Sequence, residues 1–503
     1  MQSISEPVIR NIVEEVINRI SVQSKSLQTR PAGSNAPAGC PGNAAPHFSL
    51  CSCGKNFRGY HGLFSDPNDA VEASRAAFDE LQTRTIAERR EILAIIRRIV
   101  IEQSVELGTL ELNETKIGRL EHKIDKLVGL GKNAPGTEFL KSEVFSGDHG
   151  LTVIEFSPFG VIGAVSPVTH SLPTIANNAI NMIASGNTLV VNPHPSGKKI
   201  AAEGVRRFNE AILKAHGIDN LVSVIVEPTM QTADVIFKHP QVNLIVVTGG
   251  PGVAKAALSQ AKRAIVAGPG NPPVVVDETA DLDRASRSII AGAYYDNNLL
   301  CLAEKEVFVV ESVFEAMLKA MERAGAVRLN AAQTDTMTRK GIVQTGEGAA
   351  KHDVPSREFL GKDARVLAAG IGKNITEDIP LLFGETDESN PFVPVEQMMP
   401  FLPFVRVRDV DEGIALAKKY EHGFRHTAII HSNNVQNMTK MGKAMDTTIF
   451  VKNGPSTAGN GGGGEGWSSF SIAGPTGEGI TTPLTFTRQR RCALVDSLHI
   501  LGK

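Results

Sequence analysis

Cys301 is the first residue whose type and setting could do chemistry. It lies in Asn297-Asn298-Leu299-Leu300-Cys301-Leu302-Ala303-Glu304-Lys305, just before the apolar run Glu306–Val310. A thiol that ionises in a reachable loop near amide donors is a covalent nucleophile. The same spacing fits a free cysteine buried as a small hydrophobe, and both readings stand at this point. The second candidate is Val247-Thr248-Gly249-Gly250-Pro251-Gly252, between a strand pattern and a helix pattern. Glycines there let a ligand approach backbone amides, and a helix N-terminus favours phosphate. The alternative is a tight turn that needs positive φ. The third is Ala267-Gly268-Pro269-Gly270-Asn271-Pro272-Pro273, a crossing between two proposed domains.

These stretches need elements to position them. Val161–Val165, Thr188–Val191, Leu221–Val226, Asn243–Val247 and Ala264–Val266 read as strands. Leu172–Ala184, Lys198–Ala215, Thr232–Lys238 and Val253–Gln260 read as helices between or after them. Such alternation predicts βαβ units and a parallel sheet, with ligands beyond the strand C-termini. A second alternating region starts near Pro273. It has helices around Arg284–Tyr294 and Val313–Ala324 and strands at Glu306–Val310 and Thr427–His431. Upstream, Ser65-Asp66-Pro67 is a helix start signal, followed by helices over Asp69–Leu81 and Ile86–Leu107. Ile480–Asp496 alternates between Gly and Pro boundaries and reads as an extended arm that pairs with another subunit.

At 503 residues, two or three domains are expected. The net charge of -2, from 52 basic and 54 acidic residues, gives no long-range attraction to nucleic acid or an anionic membrane. No apolar run is long enough for a membrane span, and because the first residues alternate apolar and charged, no secretory signal is expected there. Five sparse cysteines do not form a disulfide framework, so a reducing cytoplasm is expected. Residues 1–20 carry a helical stripe of Val8, Ile9, Ile12, Val13, Val16, Ile17 and Ile20. Residues 21–64 read as a flexible linker rich in Ser, Pro, Gly, Ala and Asn. An amphipathic helix on such a tether needs a partner surface. Cys40, His47, Cys51 and Cys53 are zinc-ligand types, but Cys-x-Cys is no zinc signature and no metal is expected.

Read as a set, the motifs resemble one family. Cys301 in its loop, Glu155-Phe156-Ser157-Pro158-Phe159-Gly160-Val161-Ile162-Gly163 and Asn192-Pro193-His194-Pro195 are similar to the CoA-acylating aldehyde dehydrogenases. So are Thr248–Gly252, Gly270–Pro273, Glu396-Gln397-Met398-Met399-Pro400, Phe450–Pro455 and Pro475–Gly479. The propionaldehyde dehydrogenase branch of bacterial microcompartments is the nearest resemblance, from about Ser65 to the C-terminus. It implies an α/β fold with a Rossmann-type cofactor domain over 65–267 and an α/β catalytic domain over 268–479. A small β oligomerisation arm would come from 480–503 and a stretch near 137–157. Cys301 would be the nucleophile and Glu396 the carboxylate contacting the nicotinamide ribose. Ser166, Pro193, His194, Thr248, Gly249, Gly250, Gly252 and Gly268 would line the cofactor cleft. NAD and CoA are the implied co-substrates. NAD is favoured over NADP by resemblance alone, since Val191-Asn192-Pro193 ends the second strand without a carboxylate. A homo-oligomer, dimer or tetramer, inside a cytoplasmic microcompartment is implied, with helix 1–20 docking on a shell protein. The alternative is a helix folded back onto the enzyme's own oligomer.

Two departures from the hydrolytic relatives matter. Ala267 stands where they carry a glutamate base, and Thr169 where they carry an oxyanion-holding asparagine. An enzyme that hands a thioester to CoA should not activate water against it. The Cys301 N–H and the Thr169 hydroxyl become candidate oxyanion donors. His426 resembles the family's candidate base for the CoA thiol, or is a structural histidine. The reaction that the resemblance implies takes a short aliphatic aldehyde, propanal above ethanal, with NAD and CoA to acyl-CoA and NADH through a Cys301 thioester. The alternatives are a hydrolytic enzyme using Glu304 or Glu396, and a non-catalytic interaction component of a compartment.

Overall fold

The computed structural model describes residues 49–50, 56–57, 59–348, 351–498 and 500. The expected N-terminal helix and Cys40, His47, Cys51 and Cys53 lie outside the described residues.

Two seven-stranded sheets carry the chain. In the first, the strand order is Ala264–Ala267, Val242–Thr248, Val161–Ser166, Thr188–Pro193, Val222–Ile225, Leu63–Phe64 and Gly59–Tyr60. Every pairing is parallel except the last. The order runs outward in both directions from Val161–Ser166, so a topological switch point lies between that strand and Val242–Thr248. A crevice forms at such a point beyond the strand C-termini. Parallel strands covered on both faces must be apolar throughout. Accordingly every residue of Val161–Ser166 and Thr188–Pro193 is buried. Leu189, Val191, Leu244 and Val246 face one layer of helices, and Val190, Ile245 and Val247 face the other. Each such side chain contributes roughly 1.5–3 kcal/mol by leaving water.

The second sheet is parallel, in the order Val327–Arg328, Leu382–Thr386, Phe401–Val407, Glu306–Val310, Pro273–Val276, Thr427–His431 and Ile449–Lys452. Residues 268–272 link the edge strand of the first sheet to a central strand of the second, as expected for a crossing. A separate antiparallel sheet joins Glu143–Gly147, Gly150–Pro158 and Thr487–Val495. Its strands expose Val144, Phe145, Leu494 and Val495.

Several expectations need correction. The linker does not extend to residue 64, because Leu63–Phe64 pairs with Val222–Ile225 and the Phe64 side chain is buried in the core. A two-residue strand has no period to detect. Ile86–Leu107 is two helices, Ile86–Glu102 and Ser104–Thr115, broken at Gln103 (φ −105°, ψ 15°). Gln103 accepts instead from Arg207 at 2.7 Å, so the chain turns against helix Lys198–His216. The arm sheet begins at Glu143, after a 3₁₀ turn at Thr137–Phe139. At the other end Gly479–Ile480 pairs with Ile472–Ala473 and Phe486 enters the core, so the arm strand starts at Thr487.

Candidate active site

The strand ends of the first sheet open onto a cleft of about 530 Å³ whose far wall is the Cys301 loop. Ser166, Pro193, Thr248 and Ala267 each end a strand, and all four line it. Thr169, His194, Gly249, Gly250, Gly268, Cys301 and Glu396 complete the expected set on its walls. Two expected residues do not. Gly252 lies in the first turn of helix Pro251–Leu258, facing solvent, and His426 is buried outside the lining.

The glycine turn is not a conformational necessity. Gly249, Gly250 and Gly252 all lack positive φ, and a methyl group added at Gly250 or Gly252 would meet nothing within 4 Å. These residues leave space in front of a helix N-terminus, where amide donors and the helix dipole suit a phosphate. The Ser166 hydroxyl is buried without a hydrogen-bond partner. It thus offers a polar group to whatever fills the cleft. Both observations fit a dinucleotide. The Thr248 hydroxyl is 2.8 Å from the Ser471 hydroxyl, so that side chain braces the wall. His194 Nδ1 accepts from Ser196 N–H at 3.1 Å, and burial lowers its pKa. Asn192 donates to the Thr229 carbonyl and accepts from Thr232, and so fixes the second strand's end.

The nucleophile wall is built differently. Asp296, Asn297 and Asn298 have φ of 51°, 55° and 66°, three successive left-handed residues, none of them glycine. Such residues cost of order 1–3 kcal/mol each and persist only when surroundings over-determine them. Asn298 donates to the Ala293 and Glu304 carbonyls, and Asn297 to the Gly361 carbonyl and Asp363. Lys305 Nζ donates to the Asn298 and Leu300 carbonyls at 2.8 and 3.2 Å and to Asn298 Oδ1 at 2.6 Å. Gly270 packs so closely behind Cys301 that an added Cβ would sit 2.1 Å from the Cys301 carbonyl oxygen.

Burial pushes the Cys301 thiol up to about 12, Glu396 adds to the rise, and Lys305 pulls it back only in part. The thiol is half-buried and protonated at rest rather than partly ionised. Glu396 is itself raised by burial, against the pull of Lys305 and a hydrogen bond from Gly270 N–H. It is the one carboxylate on the cleft wall among the described residues. Glu304 cannot serve as a hydrolytic base: its buried carboxylate accepts from Ser456 N–H and hydroxyl, both at 2.8 Å, and is sealed against Gly292.

His426 stands behind Gly270, whose added Cβ would lie 3.2 Å from the imidazole Cγ. Its Nδ1 is 2.8 Å from the Thr427 hydroxyl, and its Nε2 is buried with no partner. Burial, then Lys305, lowers its pKa to about 4, so the ring is neutral. A second cavity of about 410 Å³ lies across the loop, lined by Leu300, Leu302, Lys126, Tyr295 and Asn460, and shares Phe470 with the first. Nothing in the spacing of Lys126 pointed to it. The helix that carries it, Leu120–Asn133, is legible only as a stripe of Leu127 and Leu130 beside two lysines that turn out to be buried. Among the described residues no cluster of three or more His, Cys, Asp or Glu could hold a metal. Among them also no helix is long and apolar enough to cross a membrane.

Comparison with known proteins agrees with this geometry. The sequence profile of the Aldehyde dehydrogenase family matches residues 62–481. The acetylating acetaldehyde dehydrogenase EutE of Salmonella typhimurium is 45% identical over 444 residues, 88% of this chain and 94% of that one. A crystal structure of Rhodopseudomonas palustris propionaldehyde dehydrogenase with bound propionyl-CoA superposes with a TM-score of 0.84 at 41% identity, covering 88% of this chain and 97% of that one. The propionaldehyde dehydrogenase of a Clostridium phytofermentans fucose-utilisation microcompartment gives a TM-score of 0.84 at 41% identity, over 88% of this chain and 100% of that one. With a matching profile over most of its length, a glycine-lined cleft at the sheet's switch point and a cysteine facing it, this chain belongs to the aldehyde dehydrogenase family, among the CoA-acylating enzymes.

Proposed function

We propose that the protein oxidises a short aliphatic aldehyde, propanal or ethanal, to its acyl-CoA through a thioester on Cys301, with NAD as oxidant and CoA as acceptor. The observation that carries this is the juxtaposition of Cys301 with Ala267 at the end of the sheet. The cleft holds a nucleophile, and where hydrolytic relatives carry a base it holds a methyl group. NAD, when bound in the cleft, accepts the hydride.

The chain's own residues do the rest. Cys301 adds to the carbonyl carbon, and its proton leaves as the S–C bond forms. Glu396 faces the same cleft, and burial raises its pKa, which makes its carboxylate a better acceptor for that proton. Negative charge gathers on the carbonyl oxygen, where the Thr169 hydroxyl and Cys301 N–H stabilise it. The second cavity, lined by Leu300 and Leu302 on either side of Cys301 in sequence, is the candidate approach for the aldehyde. Ala267 activates no water against the thioester. The neutral His426, behind Gly270 with an unpartnered Nε2, is the candidate acceptor for the proton of the incoming thiol.

The likeness to a microcompartment enzyme supports a place in such a compartment, with residues 1–20 as the segment that docks on its shell. The exposed apolar side chains of the arm sheet support its reading as a subunit contact in a homo-oligomer. Incubation of the protein with propanal, NAD and CoA should yield NADH and propanoyl-CoA in equal amounts. Free acid in place of the thioester would favour the hydrolytic reading. Deletion of residues 1–20 should leave that activity intact and free the enzyme from compartments.

A further inference from the structure

Four charged side chains lie buried between the helix Leu120–Asn133 and the Cys301 loop. Lys123, Lys126, Asp296 and Glu111 have side chains no more than 2% exposed. Two cations and two anions leave the group neutral. A core position needs no such arrangement: well-packed apolar side chains of similar volume are generally as stable or more so. Glu111 lies 3.5 Å from Lys123 Nζ, and the other three share the places where their hydrogen bonds end. Asp296 opens the left-handed run that leads to Cys301, and its carboxylate bonds Lys126, lies 3.5 Å from Lys123 Nζ, and accepts from Arg119 N–H at 2.8 Å. Lys123 Nζ also donates to the Thr169 carbonyl at 3.0 Å, and Lys126 Nζ lies 3.5 Å from the same oxygen. Lys126 is 3.0 Å from His170 Nδ1 as well.

We propose that Lys123, Lys126 and Asp296 form a buried clamp that fixes the spacing between the nucleophile loop and the Thr169 segment, as positioning residues for acyl-enzyme formation. The proposal rests on the Cys301 thioester reading. The two segments are 127 residues apart in sequence, and one pair of lysines three residues apart on a single helix touches both. Attack on a carbonyl tolerates little error in that spacing, since the sulfur and the oxyanion donor must meet one small group at once. Charge states agree with the clamp. The lysines hold the Asp296 carboxyl well below the usual carboxylate range, and burial keeps His170 neutral, so its ring can accept from Lys126.

The test compares Asp296→Asn, Lys126→Met and the double variant with the wild type. Asparagine tolerates the left-handed backbone at 296, so the single change removes charge and not conformation. Three readouts are taken: the NADH burst with propanal and NAD, the KM for NAD, and hydrogen exchange at residues 167–171 and 296–302. Each single variant should slow the burst about 10- to 100-fold with KM for NAD within about twofold. Exchange should rise in both segments, whichever residue is changed. Exchange rising only beside the substituted residue, or a burst within about twofold of wild type, would overturn the clamp. If a single variant folds poorly, the double variant keeps the buried charge balanced and carries the same comparison. Absence of acyl-CoA from the wild type would refute the proposed function, while exchange in the two segments would still decide the clamp.

Discussion

The two walls of the cleft solve opposite problems. The wall from Ser166 to Gly268 is made of strand ends and a glycine turn, without strain at Gly249 and Gly250 and with no side-chain carboxylate. The wall around Cys301 is strained at three successive residues and tied down by buried ions and amides. Space and backbone amides suffice to bind a dinucleotide, because its phosphates find their own partners. A nucleophile must instead be held where it does not relax. The first wall should therefore tolerate additions that leave its shape, and the second should not.

The largest break expected is Cys301→Ala, which should take acyl transfer below about 1% of wild type with the cofactor wall unaffected. Binding of NADH measured by fluorescence should survive; loss of both would mean that Cys301 is a packing residue. The intact thiol offers a pH test of its environment. With its pKa pushed up to about 12, the thiolate fraction grows roughly tenfold per pH unit from 7 to 10. Alkylation of the enzyme by iodoacetamide should climb over that range without a plateau. A plateau below pH 9 would show that the resting site ionises Cys301 after all.

A pair of glycine substitutions sharpens the contrast between the walls. Gly270→Ala places a methyl carbon 2.1 Å from the Cys301 carbonyl oxygen, so the loop must shift. A misplacement of about 1 Å can cost on the order of 100-fold in kcat. Gly250→Ala meets no atom within 4 Å and should leave the fold unchanged. It should raise KM for NAD several-fold by narrowing the space before the helix, with kcat close to wild type. If both act on kcat alone, the two walls are not mechanically distinct.

His426→Ala tests a residue that belongs to neither wall. The CoA-dependent half-reaction should slow by about 10- to 100-fold while the first burst of NADH persists. Because the histidine's pKa is lowered to about 4, its neutral form dominates above that pH and is lost below it. The acid limb of acyl transfer should fall near pH 4 rather than near 6.5. A burst that falls together with turnover would make His426 a strut behind Gly270.

What the sequence discloses follows the same division. The relaxed wall was legible, because β-branched runs and a Gly-rich turn have periods and types that show in one dimension. Ser166, Thr248 and Ala267 each directly follow a run read as a strand and are the last residues of the strands that form. The strained wall was not. Left-handed φ at Asp296–Asn298 has no pattern beyond Asp-Asn-Asn, residue types that also favour ordinary turns. The lysines that serve it sit on Leu120–Asn133, a helix that carries no chemical motif. In the second sheet Phe401–Val407 is a central strand in spite of Pro403, a residue that normally argues against one. His426 was legible only through the resemblance, and its place behind Gly270 is tertiary and has no local signal.

The smallest effect is expected where the relaxed wall meets the chemistry, at Ala267→Glu. Ala267 ends its strand, is 4% exposed and lines the cleft that Cys301 faces. A glutamate there would restore a carboxylate where hydrolytic relatives carry their base. Burial would raise its pKa, as it does for Glu396 in the same cleft, so at low pH it would be protonated and inert. Above its pKa it would accept a proton from water and direct that water at the thioester. Partition should therefore move from acyl-CoA towards free acid as pH rises, by about threefold to tenfold at saturating CoA. The NADH burst, which precedes deacylation, should change far less. The measurement is the ratio of acid to thioester from one incubation, followed from pH 6 to 9. A ratio that stays at the wild-type value across that range would mean that the absent base is not what protects the thioester. Protection would then come from exclusion of water by the packed loop, and the strained wall would govern both making the thioester and keeping it.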